Sequence, residues 1–223
     1  TQRTIAEILG GTEKNDINHQ RTDAYTMCGI IGEFSDSLPE IEKFESMRDE
    51  LAHRGPDGAD LYANDDETVL LGFRRLSIID LSERGMQPMA NETNDVYLLF
   101  NGEIYNYQTL RRELETKGHT FSSETDSEVI LHGYEEWGEA VVNRLRGMFA
   151  FSVWDEREEE LFLARDPFGI KPLHYYESED RFIFSSEIKG ILADEDIPRN
   201  VSAQALNDYL SYRYVPAPRT IWE

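Results

Sequence analysis

Met27-Cys28-Gly29-Ile30-Ile31-Gly32 holds the only cysteine of the chain, at the head of an apolar run that continues to Phe34. Residues 29–34 read as a short β-strand, and Cys28 stands at its entrance. Cleavage of the Met27–Cys28 bond would give one residue both a thiol and a free α-amine. An N-terminal amine is an established base for a hydroxyl nucleophile, and the same geometry serves a thiol. The amine titrates at about 7.7–8.0 and the thiol at about 8.5, both close to working pH. Taken alone, Cys28 reads more readily as a small apolar side chain packed in a strand.

Around this strand the pattern is antiparallel. Residues 148–154 and 161–165 are apolar runs flanking Asp155-Glu156-Arg157-Glu158-Glu159-Glu160, which predicts a hairpin. A second hairpin is expected between 173–176 and 182–185, across Ser178-Glu179-Asp180. Val69-Leu70-Leu71-Gly72-Phe73 and Val96-Tyr97-Leu98-Leu99-Phe100 are further β-rich runs. Pro39 is expected to open a helix, as proline tolerates in a first turn. Ile41, Phe44, Met47 and Leu51 then recur at helical spacing up to His53. Helices are also expected over 107–117, 127–137 and 201–210. Hairpins with segregated helices indicate an α+β class, not a wound parallel sheet.

Charge and composition narrow the function classes. The chain has 223 residues, with 22 Lys+Arg against 44 Asp+Glu and a net charge of −22. Nucleic acid is excluded as a partner, because neutralising phosphates requires basic patches. The acidic excess is spread along the chain, as on the solvated surface of a halophile protein, where net charge maintains solubility. The 39% hydrophobic and 11% aromatic contents give enough material for a core and argue against disorder. One cysteine leaves no internal disulfide and fits a reducing cytoplasm. No signal peptide and no apolar run near membrane length is present, so no membrane partner is expected. Residues 12–23 form a polar run without periodicity, which reads as a mobile leader.

Four further stretches accompany the cysteine: Arg54-Gly55-Pro56-Asp57, Arg75-Leu76-Ser77-Ile78-Ile79-Asp80, Asn101-Gly102-Glu103-Ile104-Tyr105-Asn106 and Thr125-Asp126-Ser127-Glu128. In this order and spacing the set resembles the glutaminase domain of glutamine-hydrolysing asparagine synthetases. Those domains are class II glutamine amidotransferases, within the N-terminal nucleophile hydrolases. The stretches beginning at Arg75 and Asn101 carry the asparagine synthetase character. The resemblance runs from Cys28 to the end of the chain. It implies a four-layer αββα sandwich of two antiparallel sheets flanked by helices. It also implies a leader over 1–27 absent from the mature form, an amidotransferase domain over 28–195, and a linker with the start of a synthetase domain over 196–223.

The resemblance implies the following roles. Cys28 attacks the glutamine side-chain amide, with its own α-amine as base. The Asn101 side-chain amide and the Gly102 N–H stabilise the oxyanion. Arg75 binds the α-carboxylate, for which a guanidinium fork is suited. Asp126 and Glu103 hold the α-ammonium, and Leu76, Ile78 and Ile79 supply main-chain contacts and the pocket wall. Ammonia would feed a synthetase domain that uses ATP and Mg2+, whereas this domain needs no cofactor. Without the resemblance, Asn101-Gly102 reads as a hairpin turn and Arg75 as a surface ion-pair member, with Arg74 as its rival.

Remaining features give less. His53 precedes Arg54 but the mechanism needs no imidazole, so a structural role is expected. His19, His119, His132 and His174 show no metal-ligand spacing, and no metal is expected. Asp166-Pro167-Phe168-Gly169 matches a kinase metal loop superficially, with none of the other kinase parts; within the family it is a structural segment before Lys171-Pro172-Leu173. No Gly-rich phosphate loop occurs. The expected partners are glutamine and the chain's own synthetase domain; a homodimer is left open. The rival reading is a non-catalytic structural or regulatory domain whose Cys28 is blocked by the leader, or an amidotransferase with another acceptor. The leader is the one departure from the family pattern, in which the cysteine follows only the initiator methionine.

Overall fold

The computed structural model describes residues 27–77 and 83–223. It contains two antiparallel sheets. The first has the order β2-β3-β1-β9-β8, formed by β1 (Gly29–Ser35), β2 (Gly58–Ala63), β3 (Val69–Arg75), β8 (His174–Glu177) and β9 (Arg181–Ser185). The second has the order β4-β5-β6-β7, formed by β4 (Met89–Ala90), β5 (Val96–Ile104), β6 (Gly147–Asp155) and β7 (Glu160–Arg165). Both expected hairpins are present, as β6 with β7 and β8 with β9.

Three apolar layers explain the stacking. Strand side chains alternate between faces, and here each face has a separate partner. On one face of the first sheet, Ile31, Leu70 and Ile183 pack against Phe44, Met47 and Leu51, and against Ile191 of α4 (Ile188–Leu192). On its other face, Ile30, Val69, Leu71 and Phe73 meet Leu99, Ala150 and Trp154 of the second sheet. The far face of the second sheet, with Leu98, Phe100, Phe151 and Val153, is covered by Leu110, Leu114, Val129 and Ile130. Those last four belong to α2 (Tyr107–Lys117) and α3 (Glu128–Trp137). The result is helix, sheet, sheet, helix, the expected α+β four-layer sandwich.

Local chemistry sets the element ends. Helix α1 spans Ile41–Asp49, with Glu40 as N-cap. Pro39 therefore lies outside the helix rather than in its first turn, and the helix stops short of His53. Leu51 and His53 continue in turns, and the apolar spacing persists because those turns still pack on the sheet. Helix α2 ends on Gly118 at φ 106°, the left-handed conformation in which glycine carries no Cβ penalty. Helix α5 (Ala203–Tyr212) begins at Ser202, whose side chain accepts from the Ala205 N–H. Among the described residues, no helix is long and apolar enough to cross a membrane.

Candidate active site

Strand alternation places Arg75. Residues 69, 71 and 73 of β3 point into the layer between the sheets, and Arg75 continues that row. Arg75 is buried and lines a cavity at the end of that layer. Arg74 projects to the helix side, where its Nη1 lies 3.5 Å from Asp49 Oδ1. The two neighbouring arginines are thus separated by the pleat.

Cys28 enters the same cavity from the head of β1, next to β3. The Leu76 N–H donates to its Sγ at 3.5 Å, and the thiol faces the Leu76 carbonyl at 3.7 Å. Burial pushes the thiol pKa up, while the Leu76 amide and the cations Arg75, Arg54 and Lys171 pull it down. The stretch 54–57 holds this arrangement from behind. Arg54 Nε donates to the Cys28 carbonyl at 3.1 Å, and its Nη1 pairs with Glu187 at 2.8 Å. The Asp57 N–H donates to the Arg75 carbonyl at 3.0 Å, and Asp57 Oδ2 accepts from the Ser77 N–H at 2.8 Å.

The second sheet supplies the opposite wall. Asn101 and Gly102 lie inside β5, paired with Ala150 and Phe149 of β6, and not in a turn. Asn101 is 1% exposed, and among the described residues its buried side-chain Nδ2 has no hydrogen-bond partner. An unpaired buried amide donor is costly, and this one belongs to a residue lining the cavity. Gly102 is required by its neighbours across the sheet. A Cβ there would lie 2.4 Å from the Met148 carbonyl oxygen and 2.8 Å from Phe149 Cα. The close approach that requires glycine here is to β6.

Asp126 stands between the end of β5 and α3. Its Oδ2 accepts from the Ile104 N–H at 2.7 Å. Burial raises its pKa to about 6, with Glu103 adding to the rise and the Ile104 N–H opposing it. Glu128, first residue of α3, organises the preceding loop. Its two oxygens accept from the N–H and hydroxyl groups of both Ser122 and Ser123.

The cavity therefore gathers Cys28, Arg75, Leu76, Asn101, Gly102, Glu103 and Asp126 in a volume of about 300 Å³. Ile78 and Ile79 lie outside the described residues. Lys171 also lines this cavity, a residue to which the sequence alone gives no role. It is buried, and its Nζ lies 2.9 Å from the Met27 sulfur. Burial and Arg54 lower its pKa. Asp166 shapes the loop that delivers it, accepting from the N–H groups of Phe168, Ile170 and Lys171. No motif pattern marks Lys171; the signal was its place directly after that Asp-centred loop. His53 does not line the cavity and pairs instead with Glu187 at 3.0 Å.

A family model described as a glutamine amidotransferase domain matches residues 27–223. The chain belongs to that family. Among curated relatives of this glutamine amidotransferase domain, asparagine synthetase [glutamine-hydrolyzing] 1 of Bacillus subtilis is 45% identical, over 87% of this chain and 31% of the relative. Asparagine synthetase [glutamine-hydrolyzing] 3 of the same organism is 44% identical, over 82% of this chain and 30% of the relative. The amidotransferase chain thus spans about a third of the length of these relatives. Among solved structures, glutamine phosphoribosylpyrophosphate amidotransferase from B. subtilis, complexed with ADP and GMP, superposes with a TM-score of 0.63 at 22% identity, covering 74% of this chain and 43% of that one. That likeness concerns the fold alone.

Proposed function

We propose that this domain hydrolyses glutamine to glutamate and ammonia through a cysteine thioester. The observation that carries the reading is the convergence of a thiol, an unpaired buried amide donor, a buried guanidinium and a buried carboxylate on one cavity. A free amino acid carries an α-carboxylate and an α-ammonium, and Arg75 and Asp126 oppose these charges. The cavity volume of about 300 Å³ is at the small end for ligand sites, as a single amino acid requires.

In the proposed reaction the Cys28 α-amine takes the thiol proton, and the thiolate adds to the side-chain amide carbon. Charge develops on the amide oxygen, where the Asn101 Nδ2 and Gly102 N–H stabilise it. The C–N bond breaks, the α-ammonium returns its proton, and ammonia leaves. Water then adds to the thioester, the C–S bond breaks, and glutamate is released with the thiol restored.

This chemistry needs a free α-amine. In the chain as written, the Cys28 nitrogen is a peptide amide, which is no base near neutral pH, and Met27 itself lines the cavity. The active form therefore begins at Cys28. Initiation at Met27 followed by its removal, proteolysis of a leader, and self-cleavage are three routes to it. We further propose that the ammonia serves ATP- and Mg2+-dependent asparagine synthesis in a longer cytoplasmic enzyme. Support comes from the names of the relatives and from the shared motif stretches. The acidic surface is read as an adaptation to high salt. The family match and the open cavity do not favour a non-catalytic module.

N-terminal sequencing and intact mass of active protein test the proposal, together with Cys28→Ala. A chain beginning at Cys28, inactive as Cys28→Ala yet still folded, is expected. Full glutaminase activity in Cys28→Ala, or in a chain still carrying Met27, would overturn the mechanism.

A further inference from the structure

A second cluster of chemistry-bearing side chains lies apart from the cavity, on the helix side of the second sheet. His119 follows α2 by two residues, whereas His132 and Glu135 share one face of α3 at spacing i, i+3. Packing of α2 on α3 brings them together, and none of the three lines the thiol cavity. One nitrogen of each histidine and one Glu135 oxygen lie within 4.8 Å of one another.

The distances suit a tetrahedral ion. Ligands at about 2.0–2.1 Å from zinc, at tetrahedral angles, are roughly 3.3 Å apart. Glu135 Oε2 is 2.8 Å from His132 Nδ1 and 3.8 Å from His119 Nδ1, values on either side of that spacing. At 3.8 Å His119 is too far for a hydrogen bond, so the carboxylate satisfies one imidazole and leaves the other short. A cation between the three would engage all of them.

The outer atoms fit as well. Metal-bound histidines usually direct their second nitrogen to a carboxylate, which fixes the ring. His132 Nε2 is buried without a hydrogen bond among the described residues and lies 3.6 Å from Glu128 Oε1. His119 Nε2 lies 3.6 Å from Glu136 Oε2. The other Glu135 oxygen accepts from Asn91 Nδ2 at 2.7 Å. Each of the three ligands thus has a group behind it to orient it.

We propose that His119, His132 and Glu135 form a binding site for a divalent transition-metal ion, Zn2+ above all. Two imidazoles and one carboxylate are a donor set that zinc accepts, with water in the fourth position. The ion would pin the segment after α2 to α3. That segment leads through Ser122 and Ser123 into Asp126, so the site braces the loop that carries the substrate-binding carboxylate.

The test is titration of the metal-free chain with Zn2+ alone, followed by calorimetry and by thermal melting. One equivalent bound and a raised melting temperature are expected. His119→Ala and Glu135→Gln should each weaken binding by about tenfold or more and remove the thermal shift. Cys28→Ser should bind Zn2+ as the parent does. If His119→Ala does not fold, Glu135→Gln decides. Absence of stoichiometric binding, binding unchanged in Glu135→Gln, or binding lost in Cys28→Ser would each overturn the site.

Discussion

The Leu76 N–H donates to the Cys28 sulfur at 3.5 Å, across 48 positions of sequence. Cys28 and the segment that follows Arg75 are therefore one unit. Leu76 turns out of β3 just where β1 begins, because Gly29 pairs with Arg74. A hydrogen bond to sulfur favours the thiolate, and the same peptide segment fixes Arg75. In the proposed reaction, the nucleophile and the substrate-orienting arginine would share this short piece of backbone.

Binding and chemistry should separate on mutation. Arg75→Ala and Asp126→Ala each leave a substrate charge unpaired, costing on the order of 2–5 kcal/mol and appearing mainly in KM. Asn101→Ala removes an oxyanion donor and should lower kcat by about 10²–10³. Steady-state kinetics with glutamine read both. A change in KM alone for Asn101→Ala would contradict its assigned role.

Asp126 makes the domain pH-sensitive in two opposite ways. Burial holds its carboxyl at about 6, and only the ionised form attracts an ammonium. The kcat/KM for glutamine should therefore fall about tenfold per unit below pH 6, from this group alone. Stability runs the other way. The folded pKa lies above the unfolded value of about 3.9. Its stabilising contribution is full below pH 4 and is lost as pH rises to about 6. Asp126→Asn should thus melt higher than the parent at pH 7, by an amount worth about 3 kcal/mol, with the gap closing toward pH 4. Equal melting curves at pH 7 would show that the carboxyl titrates normally.

Gly102→Ala should destabilise the second sheet. The added methyl meets backbone atoms of β6, the nearest 2.4 Å away, so the strands must move apart. A cost of about 1–3 kcal/mol is expected, with a drop in kcat as the Asn101 donor shifts. Thermal melting at parental temperature would contradict this packing.

Salt should stabilise the fold. A net charge of −22 implies self-repulsion, and the Debye length falls from about 10 Å at 0.1 M to about 3 Å at 1 M. The melting temperature should rise from dilute buffer to molar KCl. A flat or falling trend would remove the reading of a high-salt surface.

The strongly apolar strands and both hairpins were legible because alternation and turn residues act locally. Strand β2 was missed because Gly58-Ala59-Asp60-Leu61-Tyr62-Ala63 has weak β-propensity and owes its form to pairing with β3. Asn101-Gly102 in isolation favours a turn; nine consecutive pairs with β6 override that preference. Arg75 was distinguishable from Arg74 by motif, but the physical reason, opposite faces of one strand, needed the sheet. Neither Lys171 nor the His119–His132 pair is marked by a motif pattern. Their neighbours come from loop wrapping and helix packing, which spacing along the chain does not encode.

The thiol rides on the first sheet and the Asn101 amide on the second, with Ile30, Leu99 and Ala150 filling the space between. That apolar filling acts as a spacer gauge: its thickness sets how far the Cys28 thiol and the Asn101 amide stand apart. Tyr62 of β2 and Tyr97 near the start of β5, stacked with ring centroids 3.8 Å apart, clamp the same gap. Anything that swells the filling, whether heat, a cavity or an organic cosolvent, detunes the two halves of the machinery while each sheet stays intact, so turnover should fade ahead of the global melt.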